Sequence, residues 1–369
     1  MPPRSISLFN RIAKDKKINL LAIYYAVSQK NRKWLFNSEE NEKVNFSYKI
    51  LQSISFGIGI NDYHNTFFSF DLLKILSKFN PDIVVIPGWS DINSLLALLW
   101  TKKNRKKLIL RTESTNREKS WRRTLFLPIT KFIIANSDLV IGSSKAAADY
   151  AKSIVPLANT CFIYSSFDTV NFSKLVKKYR RSKNSIKRKY KIKQKKVVYF
   201  NGQLIKRKGL LELLASFKDK KLANIALVIT GDGPLKSQVK VAVKNQNNIY
   251  YLGYLRQNHL AKVYSIADYF ILPSYEETWG LVLIEALASS LPIICSQFVG
   301  ASELLKEKEN GIFIKQVTSK QITKAIIDLI NQGDRKYKKI ARANHQLAIK
   351  KLSYDDIAKE FTNVFKQLA

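Results

Sequence analysis

Two cysteines, three histidines and only 28 acidic residues against 63 basic ones mark what this 369-residue chain has little of. Cys161 and Cys295 lie far apart in apolar stretches, which excludes a disulfide framework and predicts reduced core thiols of a cytosolic protein, neither of them catalytic. His64, His259 and His345 are scattered, and no spacing of His, Cys or acid matches a zinc site, so no metal is expected. No apolar run reaches the roughly eighteen residues of a membrane span. The best candidate, residues 125–141, is interrupted by Lys131 and Asp138. Residues 1–17 contain no apolar core of a signal peptide, which argues against secretion. Neither half opens with Gly-x-Gly-x-x-Gly, so a nicotinamide-dependent oxidoreductase has no support.

The shortage of acids leaves a formal charge of +35, far beyond what solubility requires. Such an excess attracts polyanions: nucleic acid, an anionic bilayer or phosphorylated substrates. Part of it has a second source, since Lys, Asn and Ile are all abundant, as in a genome of biased composition. The densest basic segment, residues 174–196, contains no acid and no base-reading motif, so a specific nucleic-acid partner is not expected. Its spaced Leu175, Tyr179, Ile186, Tyr190 and Ile192 suit a half-buried helix pair bridging two domains.

At 46% hydrophobic content the chain can bury two cores. Short apolar runs alternate with helical spacing along both halves, which predicts an α/β protein of two doubly wound domains with parallel sheets. The expected division is residues 1–172, a basic linker at 173–196, a second domain at 197–350, and a C-terminal helix at 351–369 packing back toward the first domain. A doubly wound domain normally opens on a strand, but a helix at residues 6–14 comes first here, before a strand at 18–25. The first strand is therefore expected to be missing, through a misassigned start, a fragment or a real loss.

Chemistry concentrates in the second half. The loop at residues 201–209, NGQLIKRKG, follows a strand and combines Gly202 with Lys206, Arg207 and Lys208. A second turn, residues 276–281, joins a buried strand to a helix and aims helix-start amides at the same sheet edge. Together they can hold a phosphate. Glu277 lies in that turn, and Glu285 sits in a helix that is apolar all round, where a carboxylate needs hydrogen-bond donors such as a ribose diol. Residues 231–234, GDGP, read as a tight structural turn.

The segments GQLIKRKG, ITGDGPL, YLGYL, PSYEETWGLVLIEALASSLPIICS and VGASELLKEKENGIF, in that order and spacing, resemble glycosyltransferase family 4, retaining enzymes of the GT-B fold, with the closest likeness over residues 197–314. The resemblance implies two Rossmann-like domains facing a cleft, a nucleotide-diphosphate sugar as donor and no cofactor. It assigns Glu277 to the donor sugar, Glu285 to the ribose and Lys208 to the diphosphate. Gly202, Gln203, Arg207, Tyr254, Thr278, Trp279, Gly280 and Leu281 complete the donor set, with Glu277 and Lys208 as the catalytic pair. Gln203 stands where the family carries Arg, and Trp279 where it carries Phe, so one diphosphate cation is replaced by a neutral donor. A degenerate, catalytically impaired transferase is the alternative that this departure raises.

The first half resembles the acceptor domain of the same enzymes through IPGWSDINSLLALLW, LILRTEST, LVIGSSKAAADY and the segment around Asp168. Where many members carry a histidine, this chain has Arg111, Thr112 and Glu113. Glu113 is either a stand-in on the acceptor side or a local salt-bridge partner, and Arg111 and Arg117 flank it. The acceptor implied is a lipid-linked or cell-envelope glycan. Residues 105–123, with Lys119 and Trp121, followed by Leu125, Phe126 and Leu127, read either as a peripheral dock on anionic lipid or as an ordinary basic surface. The expected location is cytoplasmic, with attachment to the inner face of the cytoplasmic membrane.

Overall fold

A computed structural model describes residues 3–25, 43–52, 54–56, 66–69, 71–89, 91–117 and 121–369. Met1, Pro2, His64 and Lys119 lie outside the described residues. The chain divides into two compact units, Met1–Asp168 with Tyr354–Ala369, and Thr169–Ser353.

The first unit opens on α1 (Pro3–Ile12) and β1 (Leu21–Tyr24), which pairs in parallel with β2 (Ser47–Ile50); β3 (Ile54–Phe56) and β4 (Thr66–Phe68) form an antiparallel pair. After α2 (Asp71–Phe79) the chain alternates through β5 (Ile83–Ile86), α3 (Ile92–Lys103), β6 (Lys107–Thr112), α4 (Trp121–Leu125), α5 (Leu127–Ala135), β7 (Leu139–Gly142), α6 (Lys145–Ile154) and β8 (Thr160–Phe162). Strands β5 to β8 form a parallel sheet in sequence order. Leu108, Ile109, Leu110, Val140 and Ile141 are fully buried, as the central strands of a sheet covered on both faces must be. Helix starts are set by side chains that accept from free amides: Asp91 from Asn93 N ahead of α3, Ser144 from Ala147 N ahead of α6. Ile23 and Leu51 pack with Leu98, Trp100, Leu110 and Ile133, which joins β1 and β2 to the same core.

The C-terminal helix Tyr354–Leu368 belongs to this unit and lies along α1. Arg11 of α1 fixes it, bonding Asp355 at 3.0 Å and Asp168 at 2.8 Å.

The second unit begins with α7 (Thr169–Arg180) and α8 (Lys183–Lys189), then runs β9 (Lys196–Asn201), α9 (Leu210–Ser216), β10 (Ile225–Thr230), α10 (Lys236–Asn245), β11 (Ile249–Tyr251), α11 (Gln257–Ile266), β12 (Tyr269–Leu272), α12 (Leu281–Ala288), β13 (Ile293–Ser296), β14 (Gly311–Ile314), α13 (Ser319–Ile330) and α14 (Gly333–Lys350). Its six strands are all parallel in the order β11-β10-β9-β12-β13-β14. The order reverses between β9 and β12. A crevice opens at such a reversal, outside the carboxyl ends of the two strands, because the connections leave in opposite directions.

The segment set apart as a linker at 173–196 forms most of α7 and α8, which the second unit holds firmly. Phe172 and Val176 are buried, and the Phe172 ring stands 5.5 Å from that of Tyr264 on α11. Arg180 donates to the Ser289 carbonyl at 2.8 Å, and Lys183 pairs with Asp268 at 2.7 Å. Several of the basic side chains thus serve the fold itself.

Candidate active site

The loops leaving β9 and β12 meet at the reversal. Gly209, at φ 65°, ends the short 3-10 turn Lys206–Lys208, and a Cβ there would lie 2.0 Å from the Pro273 carbonyl. Only glycine lets the two loops come this close. Tyr275 N donates to Arg207 O at 2.8 Å and closes the seam. Lys208 is thereby turned inward, is buried, and its ammonium contacts the Glu277 carboxylate.

Glu277 is fixed by its backbone, which donates to Phe298 O at 3.2 Å and accepts from Gly300 N at 2.8 Å. Gly280, at φ 95°, opens α12, whose first bond runs from Leu283 N to Gly280 O at 2.8 Å. The amides of residues 280–282 precede that bond and form the positive end of the helix. An ammonium, a carboxylate and a helix start therefore occupy one sheet edge. Burial presses the Lys208 ammonium down to about 7, with Arg207 adding to it, while the Glu277 contact opposes both. Arg207 itself is half exposed and stands 3.9 Å from Glu276.

Glu285 is buried in α12, with its carboxylate oxygen Oε2 accepting from Asn201 Nδ2 at 3.2 Å and from the Tyr264 hydroxyl at 3.0 Å. Asn201 Oδ1 accepts from Thr230 Oγ1 at 3.0 Å, and Thr230 Oγ1 lies 2.6 Å from the Tyr199 hydroxyl. Burial and the nearby carboxylate hold the Tyr264 phenol well above its ordinary value, so it stays a donor. The donors that the sequence sought for Glu285 in a ribose are thus supplied, for this oxygen, inside the fold.

The remaining residues of the expected donor set are less closely gathered. Gln203 and Tyr254 are exposed, Trp279 is buried, and Thr278 and Leu281 are half-buried. Gly202 meets the GDGP turn: a Cβ on Gly231 would lie 1.8 Å from Gly202 O, and Leu204 N donates to Asp232 O at 2.9 Å. That turn is a structural brace for the lysine loop. In the first unit, Arg111 Nη2 donates to Ser165 Oγ at 3.3 Å, and Ser165 Oγ to Glu113 Oε1 at 3.3 Å, while Arg117 lies further along the same loop. Sequence reasoning gave no role to Asn201 and Tyr264. Asn201 opens the loop read at residues 201–209, and the structure makes it the last residue of β9.

Residues 182–346 match the model of the family described as glycosyl transferases group 1. That stretch of the chain is similar to the family. The match covers the second unit from α8 into α14. Among curated relatives, an uncharacterized glycosyltransferase of Methanocaldococcus jannaschii is 30% identical over 176 residues, 46% of this chain and 45% of that protein. The alpha-monoglucosyldiacylglycerol synthase of Acholeplasma laidlawii is 30% identical over 133 residues, 35% of this chain and 33% of the relative. The chain thus spans less than half the length of these two relatives. The crystal structure of Anabaena Alr3699/HepE in complex with UDP and glucose superposes with a TM-score of 0.70 at 15% identity, over 100% of this chain and 97% of that one. This likeness shows the fold, an α/β pair of Rossmann-like domains.

Proposed function

We propose that this protein is a group 1 glycosyltransferase that moves a sugar from a nucleotide-diphosphate donor to a lipid-linked or cell-envelope glycan acceptor, with retention, as a family 4 enzyme needing no metal. The observation that carries the reading is the Lys208–Glu277 contact beside the start of α12, at the reversal of a parallel sheet. As the glycosidic bond breaks, negative charge collects on the leaving diphosphate. Lys208 and the amides of residues 280–282 stabilise that charge where it develops, and no reorganisation is needed at that moment. Glu277, released from Lys208 by the incoming phosphate, orients the sugar. Glu285, held by Asn201 and Tyr264, presents a carboxylate to the ribose. The departing phosphate oxygen takes the acceptor's proton.

The nucleotide donor is supported by the UDP in the Anabaena neighbour, and the lipid acceptor by the name of the Acholeplasma relative. Peripheral attachment to the inner face of the cytoplasmic membrane is supported by exposed Leu125, Phe126, Ile129 and Phe132 on and beside α5. Among the described residues no helix is long and apolar enough to cross a membrane.

A screen of nucleotide sugars, read by mass spectrometry for nucleoside diphosphate release and transferred sugar in the presence of a chelator, tests the reading. One donor is expected to turn over without metal. Lys208→Met and Glu277→Gln are expected to lose about 100- to 1,000-fold in rate. Full turnover by Glu277→Gln would remove that residue from the chemistry. Exposed Gln203, neutral where the family carries Arg, favours a second reading as an impaired transferase, and donor binding without any turnover would establish it.

A further inference from the structure

The end of β6 and the loop that follows it carry two guanidinium groups that the fold leaves incompletely used. Arg111 Nε and Arg117 Nη1 are each sealed from solvent and without a hydrogen-bond partner. Arginine presents five donors in a fixed fork, and a shielded charged donor left without an acceptor is expensive, so native proteins seldom keep one idle. Glu113 is exposed and is linked to Arg111 through the Ser165 hydroxyl. Arg111 is otherwise packed with its guanidinium carbon 5.2 Å from the centre of the Phe361 ring. Burial lowers its proton affinity, and Glu113 works against that.

The loop is built to stay in place. Arg123 Nη1 donates to Thr115 O at 2.5 Å while its guanidinium lies 4.9 Å over the Tyr150 ring. Ser114 N and Arg117 N donate to the hydroxyls of Thr112 and Thr115 at 3.2 and 3.3 Å. Ser165 N, after β8, donates to Ser143 O, after β7, at 3.0 Å. The loops at the carboxyl edge of β6, β7 and β8 are thus tied together, and that edge is where parallel sheets hold ligands.

We propose that Arg111 and Arg117 form an anion subsite in the first unit that takes the phosphate of a phosphorylated acceptor. Two guanidinium groups, one at the end of β6 and one on the braced loop after it, match a dianion better than a carboxylate, and their forks suit phosphate oxygens. The source of the phosphate is either a phosphorylated lipid or a soluble sugar phosphate. The inference rests on the transferase reading for the word acceptor, but binding is measurable without turnover, so the two fail separately.

The test is equilibrium binding to the full chain of two probes, geranyl phosphate and glucose 1-phosphate, by calorimetry. At least one is expected to bind, and the one that does identifies the source. Arg111→Gln and Arg117→Gln are each expected to weaken it about tenfold to a hundredfold. Lys208→Met, in the other unit, is expected to leave it unchanged. Arg117→Gln, on a half-buried loop side chain, keeps the test decisive should Arg111→Gln fail to fold. Failure of both probes to bind the wild-type protein would overturn the proposal. So would equal binding by Arg117→Gln, or loss of binding in Lys208→Met.

Discussion

Asn201 Nδ2 donates to Glu285 Oε2 at 3.2 Å across 84 positions of sequence, and Tyr264 donates to the same oxygen from a third element. The last residue of β9, the last turn of α11 and the middle of α12 thus converge on one buried carboxylate. Deleting a donor leaves a charged acceptor short inside the core. Tyr264→Phe is expected to lower stability by about 1.5–3 kcal/mol, with an unchanged urea m-value and weaker nucleoside diphosphate binding. Asn201→Leu should do the same, and the two losses should not add, since both act on one oxygen. An unaltered unfolding midpoint for Tyr264→Phe would mean that this hydrogen bond carries no net weight.

Lys208 gives the site a pH dependence whose sign is fixed. Burial, then Arg207, brings its proton affinity down to about 7, so in the empty site the ammonium loses its proton as the pH rises past neutrality. An entering diphosphate favours the charged form. Binding is therefore expected to weaken from about pH 7 upward and to take up a proton there, visible as buffer-dependent heats of binding. Lys208→Arg, which keeps its charge, should flatten the profile even if it binds more weakly. A wild-type affinity that stays level from pH 6 to pH 9 would show that the Glu277 contact outweighs burial.

Much of this was legible in the sequence because each strand of the second sheet is a continuous apolar run bounded by a polar loop. Lys208 and Glu277 could be named from their place in those loops, and Glu285 from the apolar helix around it. The partner of Glu285 could not, because Asn201 and Tyr264 are ordinary in their own elements and meet it only when α11 and α12 pack beside β9. How firmly the second unit holds the basic stretch was hidden for a related reason. Its charges dominate the composition, while the buried Phe172 and Val176 that bind α7 to the second unit are few. The first unit was the less legible half: its strands β2 to β4 are only three or four residues long, and β2 is exposed along its length.

Gly209 is the hinge of the lysine loop. Alanine there must hold φ near 65°, which costs an L-residue about 1–2 kcal/mol, and its Cβ would collide with Pro273 O at 2.0 Å. The loops must then separate, carrying Lys208 away from Glu277. Gly209→Ala is expected to lose nucleoside diphosphate binding by more than tenfold and to melt earlier. Gly253→Ala is the control: its φ is also positive, at 74°, but nothing lies within 4 Å of the added carbon, so it should lose stability alone. Equal binding losses in the two would refer the effect to general strain.

Leu125, Phe126, Ile129 and Phe132 expose 64%, 45%, 42% and 46% of their surface on and beside one short helix, with Lys131 among them. Scattered apolar residues are normal on a surface, but four on neighbouring turns make a patch. Fully burying such a side chain is worth about 1.5–3 kcal/mol, and each basic group near an anionic surface adds about 1 kcal/mol. The protein, at +35, is therefore expected to bind vesicles containing phosphatidylglycerol and to be released as salt rises. Phe126→Ser with Phe132→Ser should reduce binding at high salt more than at low salt, because the charge term remains while the insertion term is lost. Equal partitioning of the wild-type protein to neutral phosphatidylcholine would remove the electrostatic half of the idea. An unchanged double variant would remove the helix from it.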